Sequence, residues 1–384
     1  MAAEWITALA RYADRLHATA GARHHVASPL GAWLLLALTG AGTKEENDLE
    51  DALGVDPSRA AEIADELLAN PHPLVAAATA VWHTEQVDPD ALTGWRSALP
   101  QATTFGPLPG REELDDWARD HSYGLIDRFP IQPSPRMLLL LASALATKVK
   151  WTDPFEVEPA SRLGGDWAGL STVLRSPLHT HEAFIAGSPA GDVIVHAADA
   201  DGLTVVSVAA AAGVPAREVL AAAYGIAPAL VTGRPGGISL FDLPLGETPL
   251  WTIREERGHD HRREHVRALL PAWSATSELD LAADPALGFP AAAGVLGRLA
   301  GSPDPQFEAK QVATARYSRY GFEAAAVSGF ATLTSFPPEA PIRHAELRFA
   351  HPYAVVAVTA QPDGPWHGVP VFSAWVTEPD EVTD

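Results

Sequence analysis

The chain has 384 residues, 47% of them apolar, which is enough to bury a large core. Its formal net charge of −21 excludes nucleic acid and anionic membrane surfaces as partners, because binding to either is driven by Lys and Arg. It contains no cysteine, so neither a disulfide framework nor a thiol nucleophile is available.

The amino terminus, Met1-Ala2-Ala3-Glu4-Trp5, is acidic where a secretory leader needs a basic start and an apolar run, so a cytoplasmic location is expected. Trp5, Leu9, Tyr12 and Leu16 share one face at helical spacing and predict an amphipathic first helix. Ser28 caps a second helix, with Pro29 at the first position, where a missing N–H costs nothing. The run Trp33 to Leu38 is apolar all round, which implies burial. Thr43 and Glu46 form a capping-box pattern for a third helix ending near Gly54. Strand-like segments then dominate: Met137 to Ala146, Leu203 to Ala209, Ala354 to Thr359 and Val369 to Val376, separated by Pro, Gly and Asp clusters. The first is the longest apolar run; it is interrupted by Ser143, falls short of the ~20 residues of a membrane span, and reads as a buried strand. There is no internal repeat. An α-rich first part and a β-rich second part give an α+β class.

Two histidine motifs compete for a functional reading. His261-Arg262-Arg263-Glu264-His265 fits the His-x-x-Glu-His pattern of a zinc-peptidase group, with both histidines on one face if the segment is helical. Its dense charge and the preceding Gly258 favour a solvated connection instead, and no metal is expected. His24-His25 is read as structural. Neither a Gly-x-Ser-x-Gly elbow nor a phosphate loop is present, so no catalytic role and no cofactor are expected.

The most informative stretch is Gly321-Phe322-Glu323-Ala324-Ala325-Ala326-Val327-Ser328-Gly329, followed by Phe336-Pro337-Pro338-Glu339. Its small side chains can slip between existing strands, and the Pro-Pro pair removes two donors, so a strand built from the run must end there. At this point the sequence resembles the serpins. Gly-x-Glu-Ala-Ala-Ala is similar to the family's hinge, Pro-Pro-Glu to the segment after its reactive bond, and Phe349-Ala350-His351-Pro352-Tyr353 to its Phe-x-x-Pro-Phe signature. Ser28-Pro29-Leu30 and Gly42-Thr43-Lys44-Glu45-Glu46 resemble the start of its second helix and the turn that follows. Trp117 with Ser122-Tyr123-Gly124-Leu125-Ile126, Lys148 to Phe155, and Val371 to Val376 match further landmarks in the family's order, across nearly the whole chain.

The resemblance implies one serpin domain over residues 1–384, of a bacterial, intracellular type, with three β-sheets, about eight or nine helices and an exposed reactive loop at about residues 319–338. It implies a monomeric inhibitor, not an enzyme. A serine protease would attack the loop as a substrate and become acylated, and the cut loop would then insert into the central sheet. Alternation sends Phe322, Ala324, Ala326, Ser328, Phe330 and Thr332 to the face that is buried in the family. Counted back from Pro337-Pro338 the reactive bond is Thr334-Ser335; counted forward from Gly321 it is Ser335-Phe336. The first is preferred, and small Thr334 after Leu333 suggests an elastase-like or subtilisin-like target. The hinge comprises Arg319, Gly321, Phe322, Glu323, Ala324, Ala325 and Ala326, and the supports beneath it are Ser28, Ser143, Trp151 and Gln311. Several positions depart from the family pattern: Arg319 replaces a Glu, Phe322 a Thr, Gln311 a His, Ser143 an Asn and Gly31 a Ser. Those departures keep a second reading open, a non-inhibitory serpin fold with a binding, storage or recruited biosynthetic role.

Overall fold

A computed structural model describes residues 2–41, 47–88, 90–134, 136–178, 180–233, 236–258, 263–302, 306–321 and 340–382. The chain opens with α1 (Ala2–Ala20), whose Trp5, Leu9, Tyr12 and Leu16 are buried, as their helical spacing predicts. After β1 (His25–Ala27), the Ser28 hydroxyl caps α2 (Pro29–Gly40) by accepting from the Gly31 N–H, and every residue of α2 except Leu35 is buried. The third helix, α3 (Asn47–Leu53), ends at Gly54, whose φ of +71° is the left-handed exit that glycine accepts without strain. Residues 42–46, which include the expected capping box, lie outside the described residues.

The rest of the chain continues with α4 (Pro57–Ala69), β2 (Val75–His83), α5 (Thr93–Ala98), β3 (Thr104–Pro107), α6 (Arg111–Asp120) and β4 (Leu139–Thr147). Then come β5 (Glu156–Pro159), β6 (Thr172–Arg175), β7 (Glu182–Ser188), β8 (Gly191–Asp199), β9 (Leu203–Ala209) and α7 (Ala216–Thr232). The last part holds β10 (Gly246–Glu247), β11 (Trp251–Gly258), β12 (Arg263–Leu270), β13 (Trp273–Asp280), α8 (Phe289–Leu299), β14 (Lys310–Tyr317), β15 (Ala340–Arg348), β16 (Tyr353–Thr359) and β17 (Pro370–Val376). The four strands expected from sequence are β4, β9, β16 and β17, each within two residues of its predicted start.

Two six-stranded sheets form, in the orders β1-β17-β16-β9-β8-β7 and β10-β11-β15-β12-β6-β5. The strands of the first sheet's centre read as unbroken apolar runs because both faces are covered: β9, β16 and most of β17 are buried throughout. The remaining strands make two smaller ladders, β3-β2-β4 and β13-β14. Among the described residues no ladder joins β4 to β14, so the three sheets expected are seen as four, with the central one in two pieces. A principal core, including Trp33, Phe155, Phe349, Tyr353 and Trp366, runs through both halves of the sequence.

The histidine motifs resolve by secondary structure. His265 lies in β12, so it is not on a helical face, and its ring packs edge-on against His344 of β15, with centroids 5.0 Å apart. His261 lies outside the described residues. His25 belongs to a buried polar chain: Tyr224 Oη donates to Ser373 Oγ (2.8 Å), Ser373 Oγ reaches His17 Nε2 (2.7 Å), and His17 Nδ1 reaches His25 Nε2 (2.6 Å). His25 Nδ1 ends the chain by donating to the Arg23 carbonyl at 2.8 Å; burial lowers the pKa of both rings, and with both neutral every proton along the chain is directed toward that carbonyl. Burial, reinforced by the neighbouring His25, pushes the His17 pKa down to about 3. This chain ties α7, β17, α1 and β1 together across the first sheet.

Candidate functional site

The site begins where β4 and β14 leave their two ladders. Immediately beyond them, residues 148–155 and 318–321 are stitched together. The Trp151 N–H donates to the Tyr320 carbonyl (3.3 Å) and the Phe155 N–H to the Arg319 carbonyl (2.9 Å). The Trp151 indole donates to the Ser318 carbonyl (3.0 Å), and Lys150 makes a single antiparallel bridge to Gly321. Arg319 returns the contact, its Nε donating to the Phe155 carbonyl at 3.2 Å. A Glu here has no donor for that carbonyl, which gives the cation at this position a physical reason.

Gly321 is the last described residue before residues 322–339, where the sequence resemblance puts the reactive segment. Its φ is +96°, and a Cβ on it would lie 2.7 Å from the Trp151 nitrogen and 2.9 Å from the Val149 oxygen. Only glycine allows the backbones to approach this closely. Behind the stitch, the Phe155 ring packs against Tyr317 (5.7 Å), His181 (4.7 Å) and His196 (5.4 Å). His181 and His196 are joined by a 3.1 Å hydrogen bond, and burial lowers both their pKa values. Phe155 and Tyr317 were not singled out from sequence as site residues; the Pro154-Phe155 pair was visible only as part of a longer motif.

Beneath the stitch, a cleft separates β4 from β14. Its walls include Ser143 and Ala144 on one side and Gln311 and Ala313 on the other, with Ile126 and Phe129 from the segment after α6 lining it as well. At its floor is the start of α2. The Gln311 amide grips Ser28 twice, accepting from its N–H (2.9 Å) and donating to its carbonyl (2.8 Å). Ser143 Oγ donates to the Gly31 carbonyl at 2.7 Å, and Ser28 Oγ donates to the Val371 carbonyl at 2.8 Å. Ser28, Ser143 and Gln311 therefore come together through the backbone of α2 rather than through one another. Gly31 is part of the fit, because a Cβ there would stand 3.3 Å from Ser28 Oγ and 3.5 Å from Ser143 Oγ.

Arg319, Gly321, Trp151, Ser28, Ser143 and Gln311 are thus placed on one path, from the mouth of the cleft to its floor. Phe322, Glu323, Ala324, Ala325 and Ala326 of the hinge, and Thr334, Ser335 and Phe336 at the two candidate reactive bonds, lie outside the described residues.

Comparison with solved structures gives the architecture its name. Tengpin, a thermophilic serpin in its native state, superposes with a TM-score of 0.64 over 97% of this chain and 94% of its own, at 15% identity. The chain has the serpin fold. Human thyroxine-binding globulin complexed with thyroxine aligns with a TM-score of 0.63 at 14% identity, covering 98% of each chain. A serpin from the trematode Schistosoma haematobium gives 0.61 at 15% identity, over 98% of this chain and all of that one. Neither protein-family profiles nor curated protein sequences give a match. With the fold identified, β3-β2-β4 and β13-β14 take the places of the two parts of the central serpin sheet.

A second concavity lies elsewhere, between α1, α4 and α7. This groove has a volume of about 1470 Å³; its sides include Trp5, Ile63 and Leu220, and the Asp14–Arg217 ion pair (2.6 Å) lies on it. Among the described residues no helix is long and apolar enough to cross a membrane, and no cluster of His, Asp and Glu suits a metal.

Proposed function

We propose that the chain is a suicide-substrate inhibitor of a serine protease, belonging to the serpins and working as one domain over its whole length. The observation that carries this reading is the divided central sheet, stitched at one end by residues that lead directly into the reactive segment. A cut segment entering between β4 and β14 gains two ladders at once and buries its small residues, which is the driving force a trap needs. Phe322 enters first, followed by Ala324 and Ala326 on the same face. The reactive bond in this reading is Thr334-Ser335, with Ser335-Phe336 the alternative, and the target is an elastase-like or subtilisin-like enzyme with a shallow primary pocket. In this reading the protein acts as a cytoplasmic monomer, which its lack of cysteine suits.

Incubation with a panel of serine proteases, followed by denaturing electrophoresis, tests the reading. An inhibitor gives a covalent complex that survives denaturation, with mass spectrometry placing the acyl bond on Thr334 or Ser335. Quantitative cleavage by every protease, without any complex, refutes inhibition.

The groove between α1, α4 and α7 supports a second reading, in which the fold carries a small amphipathic ligand and traps nothing. It has room for such a ligand beside an apolar wall, and a structural neighbour was solved holding thyroxine. A rise in melting temperature with thyroxine or a similar ligand, together with failure in the protease assay, favours the carrier.

A further inference from the structure

Behind the stitch lies a group of buried polar side chains that the proposed inhibition does not use. Five of their atoms, His196 Nδ1, Ser207 Oγ, Trp273 Nε1, Tyr317 Oη and Tyr353 Oη, are shielded from solvent and close no hydrogen bond with the protein. They are neighbours. His196 and Ser207 face each other across β8 and β9, and Trp273 and Tyr317 across β13 and β14, where their rings stack with centroids 6.0 Å apart. Burial drives the Tyr317 and Tyr353 phenols well above their usual pKa, and Tyr353 acts on Tyr317 in the same direction; the Ser207 hydroxyl beside Tyr317 and the Trp273 indole beside Tyr353 act against it. One of the five is an addition to the family pattern, since Tyr353 stands where the Phe-x-x-Pro-Phe signature ends in Phe.

The direction of the protons through this group is set at one end. The Asp153 carbonyl only accepts, so His181 Nε2 donates to it, at 2.8 Å. A neutral His181 then has a bare Nδ1, which accepts from His196 Nε2 at 3.1 Å. A neutral His196 is left in turn with a bare Nδ1 that needs a donor. The hydroxyls of Ser207, Tyr317 and Tyr353 can each give one proton and accept another, whereas the Trp273 indole can only give. The order that follows their neighbours satisfies them all: Trp273 to Tyr353, Tyr353 to Tyr317, Tyr317 to Ser207, and Ser207 to His196 Nδ1. Left open, such groups cost about 1–3 kcal/mol each, and buried water is what ordinarily bridges polar atoms that stand just beyond a direct bond.

We propose that these side chains, with bridging water between them, form a one-way hydrogen-bond relay from Trp273 to the Asp153 carbonyl, which braces the two pieces of the central sheet behind the stitch and fails when the histidine pair gains a proton. Trp273 and Tyr317 belong to the β13–β14 piece, and Asp153 to the segment that continues β4. Phe155, which bonds Arg319 in both directions, packs on Tyr317, His181 and His196 alike. A proton added at His196 Nδ1 faces the Ser207 O–H, and one added at His181 Nδ1 faces the His196 N–H; either way two donors meet. Burial lowers the pKa of both rings, and His181 lowers that of His196 further; Asp153 and Asp199 draw a proton back toward His181, while Ser207, Tyr317 and Tyr353 from β9, β14 and β16 are uncharged. Both rings therefore titrate below 6.5 in the folded chain, and the brace is complete above that pH and weakens as the pH falls. It needs no insertion, so it stands or falls apart from the inhibitor reading.

Two measurements on the intact protein test the relay. Nitrogen NMR of histidine-labelled protein at pH 7.5 should find His181 and His196 each protonated on Nε2 alone, and a proton on Nδ1 of either overturns it. Amide exchange is then followed from pH 7.5 to 5, corrected for its intrinsic pH dependence and expressed as protection at Trp151 and Phe155 relative to Val356 of the buried β16, so that any global loss of stability cancels. The parent should lose about tenfold in this ratio, whereas His196→Gln, which donates and accepts as the neutral ring does but takes up no proton, should lose less than about threefold. Protection in the parent that falls only in step with Val356, or a variant that loses as much as the parent, overturns the proposal. Should the variant fail to fold, the two measurements on the parent decide.

Discussion

Gly321 is the residue on which the mouth of the central sheet closes. A Cβ there meets backbone atoms of Val149, Lys150 and Trp151 that cannot turn aside as a side chain would, and φ is already in the region that other residues avoid. Gly321→Ala should lower stability by about 1–3 kcal/mol, read as a lower urea midpoint at unchanged slope. In the buried polar chain that joins α1 to β1, His17 is held neutral with its pKa near 3. The unfolded chain takes up a proton on that ring near pH 6.5 and the folded chain does not until about pH 3, so stability is full above pH 6.5 and falls as the pH drops through that window. The cost at pH 5 is about 2 kcal/mol for this ring alone, and the lowered pKa of His25 acts in the same direction. Melting temperature measured from pH 7.5 to 5 should fall, and His17→Gln should flatten the profile although it lowers the value at pH 7.5. An unchanged slope in that variant would show that the acid sensitivity lies elsewhere.

At the scale of elements, the hinge offers the sharpest substitution. In the proposed mechanism, Ala324→Arg or Ala326→Glu carries a charge to the face that is buried on insertion, a cost of several kcal/mol. Inhibition is a race between insertion and hydrolysis of the acyl-enzyme, and about 1.4 kcal/mol on the insertion barrier slows it tenfold. Both variants should be turned over as substrates, seen as cleaved protein in place of covalent complex; variants that trap protease as well as the parent does would exclude loop insertion. The elements that set up this site differ in how far the sequence reveals them. The start of α2 was legible because Ser28 and Pro29 carry a local signal, and α1 because its apolar period is unbroken. β9, β16 and β17 were legible as apolar runs between turn residues. β11 was not: Arg254-Glu255-Glu256-Arg257 has no apolar alternation, and its pairing with β15 is far away in sequence. The next strand in sequence, β12, reads in part as a solvated connection for the same reason, since Arg263, Glu264 and Arg267 hide a strand whose far end, Ala268 to Leu270, is buried. The division of the central sheet is legible only through the family resemblance, which names Ser143 and Gln311 as supports; no local pattern in β4 or β14 shows it, and the α2 backbone that both side chains bind explains the pair.

For the whole molecule, the intact form is expected to be the less stable one. Each residue of the inserted segment that joins β4 and β14 adds ladder hydrogen bonds worth about 1 kcal/mol apiece, so a single cut between Ala331 and Phe336 should raise the melting temperature by on the order of 10 °C. Calorimetry before and after a cut confirmed by mass spectrometry checks this, and an unchanged transition would remove the energetic basis of the trap.

The positions of β15, β16 and β17 bear on how such a chain is made. They follow every other element in the sequence, yet β16 and β15 fill the interiors of the two six-stranded sheets, between β9 and β17 in one and between β11 and β12 in the other. A ribosome adds about 5–20 residues per second, so for seconds the emerging chain carries α1 to β14 with a gap in each sheet. Neither sheet can close until translation has passed them. The order of synthesis thus delays completion of the fold until after the reactive segment has been made, and that segment then becomes anchored at its downstream end as β15 takes its place.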